Sequence, residues 1–254
     1  MKTVLKYVIL SAIRDKLFLA LFMAIISLFG ISNLIGFTAT SEEALMQTVL
    51  FAGTSRILLI FGMIIFICFH INKSFENKEI SFILSKNISR EKFILSYWLG
   101  FNIISLFLIF IFSIIIFLFC NINIIGAIQW IISLIFEMAI ITMFAILSSL
   151  MLQSAIFSIF ISSSFYLISR LMGFFINMSI VTGHNEIYNF IIESSHFILK
   201  VISSLIPRLD LYGQTKWLIY GADFNIFKII IIQSIIYILI MFMMAFYDFR
   251  KKQF

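Results

Sequence analysis

YWLGFNIISLFLIFIFSIIIFLFC, residues 97–120, carries no charged side chain and does not alternate apolar with polar residues. A helix rises about 1.5 Å per residue, so about 20 apolar residues cross a hydrocarbon core of about 30 Å. A membrane strand is shorter, about ten residues, and alternates. The stretch therefore reads as one transmembrane helix. The same test, applied outward, marks 17–37, 52–71, 128–150, 155–176 and 226–247. Backbone in lipid must satisfy its own hydrogen bonds, and for unalternating runs of this length only a helix does so. The sequence thus predicts an all-α polytopic membrane protein with six transmembrane helices in a single transmembrane domain over 1–254. It also predicts an N-terminal interfacial helix over 1–16, a cytoplasmic loop over 72–96 and an external segment over 177–225. The run 17–37 is too long for the apolar core of a cleavable signal peptide, and a leader of different character precedes it.

Composition agrees. Of 254 residues, 62% are hydrophobic and 12% charged, and the mean hydropathy is +1.13. A soluble domain carries about 25% charged residues and about half apolar ones. One core of ordinary size does not hide this much apolar surface. A soluble enzyme, a DNA-binding domain and a disordered chain are excluded, and nucleic acid is not an expected partner. The net charge of +6 instead indicates basic loops held on one side of the bilayer. Lys2, Lys6, Arg14 and Lys16 precede the first span. Lys73, Lys78, Lys86, Arg90 and Lys92 lie between the second and third, and Arg250, Lys251 and Lys252 form the tail. These are 12 of the 18 basic residues, all on one face of a six-span chain. The positive-inside rule puts that face, with both termini, in the cytoplasm.

Two segments outside the spans have apolar faces. In 2–16, Val4, Val8 and Ala12 form one row and Leu5, Ile9 and Ile13 the next, with Lys2, Lys6 and Arg14 to another side. That spacing suits a helix lying along the headgroups. In the loop, Glu76, Lys78 and Glu79 flank Ile80, Phe82, Ile83 and Leu84. A break follows at Lys86-Asn87, and Ser89-Arg90-Glu91-Lys92 resembles a helix start. A short helix with one apolar face in such a loop is suited to docking in a partner's groove. In the external segment, Glu193, His196 and Lys200 interrupt the apolar run Ile187–Ile206, which reads as an interfacial or re-entrant helix ended by Pro207.

No P-loop, H-E-x-x-H, paired C-x-x-C or G-x-S-x-G occurs. No catalytic residue, metal ligand or cofactor-binding residue is expected on this chain. Glu42-Glu43 has no histidine in a neighbouring span, and His70, His184 and His196 read as boundary or external residues. Cys68 and Cys120 read as packing residues rather than a disulfide framework. Two polar features lie inside the spans. Glu137 and Arg170 are charges in lipid, which face the bundle or a wet cavity and find a partner. They fall in antiparallel neighbours and form a candidate ion pair, with a substrate-path role for Glu137 as the alternative. Ser154, Ser158 and Ser162, with Ser163, Ser164 and Ser169 nearby, line one side of the fifth span. They serve either close helix packing or a polar lining.

Several stretches together carry a resemblance. They are SAIRDKLFLALF (11–22), ENKEISFILSKNISREKFILSYWLG (76–100), IFEMAIITMFAILSSLMLQSAIFSIF (135–160), IPRLDLYG (206–213) and YDFRKKQF (247–254). In order and spacing the chain resembles the membrane-spanning permease subunits of ABC-2-type ABC transporters, closest to the branch associated with multi-copper enzyme maturation. It departs at Lys86-Asn87-Ile88, where relatives often carry a proline. The resemblance spans nearly the whole chain and implies a permease subunit, that of an exporter, in a bacterial cytoplasmic (inner) membrane. It implies a second permease copy, as a homodimer or with a related permease, and separate ABC ATP-binding subunits that hold ATP and Mg. The loop would then be the coupling helix, with Glu76, Glu79, Phe82 and Arg90 the residues expected to meet the ATPase, and residues 2–16 would brace it. Two other classes stay open from sequence: an ATPase-independent membrane binding or immunity protein, and a membrane-embedded enzyme acting on lipid. The substrate is not legible.

Overall fold

The computed structural model of the protein describes residues 2–14, 16–36, 43–80, 89–120, 122–152, 154–178, 198–221 and 224–251. Most of these residues are helical, and none of them lies in a strand. In chain order the helices are α1 (Lys2–Arg14), α2 (Lys16–Gly36), α3 (Glu43–Glu76), α4 (Arg90–Phe119), α5 (Ile124–Leu152), α6 (Ala155–Met178), α7 (198–205), α8 (Trp217–Tyr220) and α9 (Phe224–Lys251). A 3-10 turn, Leu209–Leu211, stands between α7 and α8. Six of them, α2 to α6 and α9, are long and apolar enough to cross a membrane, and each contains most of a span expected from sequence.

The helices run past the apolar runs because nothing in the flanking sequence breaks them. The 34 residues of α3 make about 50 Å of helix, against a hydrocarbon core of about 30 Å. Its surplus carries Lys73 and Glu76, both exposed, beyond the apolar run. There α3 stops at Asn77 and Lys78, the latter at φ 55, a left-handed conformation uncommon outside glycine. The chain turns back so that Glu79 faces α1. Helix α4 begins at Arg90 as the sequence indicates, although Ser89 makes no side-chain capping bond. Asn123 does cap α5: its Oδ1 accepts from the backbone N–H of Ile125 at 3.0 Å and of Gly126 at 3.4 Å.

Helix α5 is the axis of the bundle. It packs against α3, α4, α6, α8 and α9, and 67% of its span is buried inside the protein, against 17% for α2. Small residues on α5 (Gly126, Ala127, Ser133, Ala145, Ser148 and Ser149 are all buried) let its neighbours approach closely. Gly126 is the tightest case. A Cβ there would sit 1.8 Å from the Trp217 carbonyl oxygen, so only glycine lets α8 rest on the start of α5. The outer faces of α6 and α9 are lined with exposed Ile, Leu, Phe and Met, as suits helices in contact with lipid.

Helix α1 lies across the start of α4. Val8 and Ala12, one row of the expected pattern, are buried, while Lys6 and Arg14 are exposed. Val8 packs on Gly100, where a Cβ would come within 3.0 Å of a Val8 methyl carbon. The stacked rings of Phe93 and Phe249, 5.3 Å apart, join α4 to the end of α9 at this same terminal end. The loop residues 81–88, including Phe82 and the break expected at Lys86-Asn87, lie outside the described residues. So do 179–197, with His184, Glu193 and His196. Of the helix expected over Ile187–Ile206 the described part is 198–205, and it ends before Pro207.

Candidate functional site

Polar side chains gather at two ends of this apolar bundle. At the terminal end, α1 is tied to the start of the loop. Tyr7 Oη donates to Glu79 Oε2 at 2.5 Å, and Ser11 Oγ lies 3.0 Å from His70 Nδ1. Burial, then the Glu79 carboxylate beside it, pushes the Tyr7 phenol up to about 12. Across the loop, Arg90 Nη1 donates to the carbonyls of Phe249 at 2.5 Å and Arg250 at 2.7 Å. A guanidinium is well placed there, because the last carbonyls of a helix lack partners and carry the negative end of its dipole. Glu76 is exposed at the end of α3. Of the four residues expected to meet an ATPase, three are therefore described. Two of them, Glu79 and Arg90, also bind the loop to α1 and α9.

The second gathering lies toward the far end, around residues 206–221. Glu137 on α5 is 0% exposed and Arg56 on α3 is 2% exposed. Arg56 Nε donates to Glu137 Oε2 at 2.7 Å, and Nη2 donates to the same oxygen. Arg56 Nη1 donates to the Gly213 carbonyl at 2.5 Å. Arg170 on α6 donates from Nη1 to the carbonyls of Leu209 at 2.6 Å and Tyr212 at 2.8 Å. The Gly213 N–H donates to Ser133 Oγ on α5 at 2.9 Å. Tyr212 Oη reaches α9, 2.8 Å from Ser234 Oγ and 3.1 Å from the Ile230 carbonyl, to which it donates. One returning segment is thus bonded to α3, α5, α6 and α9. Gly213, at φ 48, is forced to be glycine twice over: by its left-handed backbone, and because a Cβ would lie 2.8 Å from the Arg56 guanidinium.

The ion pair expected between Glu137 and Arg170 is replaced by one between Glu137 and Arg56. Helix α3 packs on α5 and delivers Arg56 at the level of the carboxylate, while α6 turns Arg170 toward carbonyls of the 3-10 turn region. From sequence, Arg56 counts only as a basic residue away from the terminal face. Yet it falls four residues inside the run 52–71, and an arginine at that depth was the available signal. Two serines of the fifth span, Ser158 and Ser162, face its hairpin partner, while Ser164 is exposed. Ser162 Oγ lies 2.7 Å from Ser148 Oγ, and Ser158 Oγ donates to the Ser154 carbonyl at 2.8 Å and the Ser148 carbonyl at 3.3 Å. Both are fully buried, which is a packing arrangement.

Between α3, α6 and the returning segment lies a cavity of about 560 Å³. Arg56, Arg170 and Lys216 are among its lining residues, with apolar Ile57, Phe61 and Leu167. Among the described residues no group of three or more His, Cys, Asp or Glu is placed to hold a metal ion. No protein-family model, curated protein or solved structure matches the chain.

Proposed function

We propose that this chain is the permease half of an ATP-driven transporter of the ABC-2 type, exporting a substrate and taking its energy from a separate ATP-binding subunit. The observation that carries this reading is the double attachment of the α3–α4 loop. Tyr7 bonds α1 to Glu79 where the loop leaves α3. Arg90 bonds α9 to the loop where it enters α4. A partner that pushes on residues 76–92 therefore moves both the first and the last helix of the bundle. In the proposed cycle ATP draws two partner subunits together, the loops and α1 follow, and two copies of the bundle rock to open a path outward. Both termini and the loop then lie in the cytoplasm of the inner membrane, in keeping with the 12 basic residues gathered there.

The test is affinity purification of the tagged chain from native membranes in mild detergent. Recovery of a P-loop ATPase in equal amount supports the reading. Recovery of the chain alone, in two detergents and with an ATP analogue present, overturns it. Phe82→Asp is the sharper loop variant, expected to abolish ATPase recovery while the chain still inserts. Arg90→Glu is less informative because it also releases the end of α9.

A further inference from the structure

The cavity at the far end has a chemistry of its own. Three cations, Arg56, Arg170 and Lys216, line it, and among the described residues its wall holds no carboxylate. Glu137 lies behind Arg56 and is already bonded to it. Asp210, whose carboxylate also attracts Arg170, is paired with Arg208 at 2.9 Å, so Arg170 and Lys216 bring two positive charges that no carboxylate among the described residues pairs with directly into a site walled largely by hydrocarbon. Charge repulsion there is screened far less than in water, and an anion relieves it. Arg170 spends only Nη1 on the Leu209 and Tyr212 carbonyls. Among the described residues its Nε and Nη2 have no partner, and that edge of a guanidinium matches two oxygens of a phosphate. Lys216 is exposed at the rim.

The apolar lining points to an amphiphile rather than a simple soluble anion. Ile57 on α3 is 50% exposed and Leu167 on α6 is 48% exposed. With Phe61 they make an apolar wall beside the cations, on two helices that cross the membrane. The volume lies within the ordinary range for a small-molecule site, about 300–1,000 Å³. We propose that this cavity binds the phosphate headgroup of an anionic phospholipid-type amphiphile, the headgroup at Arg170 and Lys216 and the first part of an acyl chain along Ile57, Phe61 and Leu167. The site does not depend on the transporter reading, because the chain alone makes it.

The test uses the purified full chain in neutral detergent micelles. Binding of dioleoylphosphatidylglycerol and of dioleoylphosphatidylcholine is counted by native mass spectrometry, with inorganic phosphate in large excess as the competitor. The anionic lipid is expected to bind about tenfold tighter, and phosphate to leave it in place. Lys216→Gln removes one cation from an exposed position, and Leu167→Trp fills the apolar wall without touching charge. Each is expected to remove most of that preference. Lys73→Gln, at the opposite end of the bundle, is expected to leave it unchanged. Arg170→Gln also breaks the bonds to Leu209 and Tyr212, so it is a secondary variant. Equal binding of the two lipids overturns the proposal, as does a preference that survives both Lys216→Gln and Leu167→Trp. Displacement by inorganic phosphate overturns it in favour of a soluble anion.

Discussion

Glu137 shows what a charge needs at this depth. Its carboxylate is wholly buried and takes two bonds from one guanidinium, which in turn holds the Gly213 carbonyl. Removing one partner strands the other, a loss of about 3–5 kcal/mol for a buried pair. Glu137→Ala is accordingly expected to lower the thermal midpoint of the detergent-solubilised chain markedly. Replacing both Arg56 and Glu137 by Met is expected to recover much of that loss, because no lone charge remains. A double variant as unstable as the single one would show that the Gly213 bond, not the pair, carries the stability. Gly213→Ala places a Cβ against the Arg56 guanidinium at a left-handed backbone position. It is expected to destabilise by about 1–3 kcal/mol, measured in the same melt.

At the scale of elements, the terminal end is held by side chains reaching between helices. Burial and Glu79 raise the Tyr7 phenol from its usual value to about 12 in the folded chain. Between about pH 10 and 12 the folded state therefore holds a proton that the unfolded state has lost, so stability falls as pH rises there. Attachment of α1 is expected to be constant below about pH 10 and to weaken above it, read from the pH dependence of amide exchange in α1. Tyr7→Phe is expected to flatten that dependence. Arg90→Gln removes the donor to the Phe249 and Arg250 carbonyls. Faster proteolysis of the end of α9 is expected, with the span itself intact. At the other end, Gly126→Ala sets a Cβ on the Trp217 carbonyl, a backbone atom that no rotamer change removes. It is expected to be far more damaging than Gly30→Ala, where a Cβ meets nothing within 4 Å.

The whole molecule is a bundle wound on α5, closed at one end by α1 and at the other by residues 206–221. Apolar burial between helices gives little drive inside a bilayer, where lipid tails are as apolar as leucine. Close packing at small residues and polar bonds then have to hold the spans together, which is why one segment touches four of them through hydrogen bonds. Six spans also require that both termini share a side. In the proposed orientation, with Cys68 and Cys120 replaced by Ser, a single cysteine introduced at exposed Leu205 is expected to react with a membrane-impermeant maleimide added outside intact cells. A cysteine at exposed Lys6 is expected to react only after the membrane is opened. The same labelling on both sides of the membrane for the two positions would overturn the topology.

Residue order alone marked six helices long and apolar enough to cross a membrane and the row of α1 that is buried. Both follow from local quantities: the length of an apolar run against the thickness of a bilayer, and a period of 3.6. It marked Glu137 and Arg170 as charges needing partners, because the cost of a charge in lipid is known before any contact is. The identity of those partners was not in the local pattern. Arg56 is 81 residues from Glu137, and Leu209 is 39 from Arg170. Only the packing of α3 on α5, and the return of the chain through Pro207 to Gly213, brought them together. The cavity is of the same kind, since Arg56, Arg170 and Lys216 share no spacing rule and meet only because three separated elements close on one space. Local physics decides what may cross a membrane, and the tertiary fold decides which of the buried charges face one another.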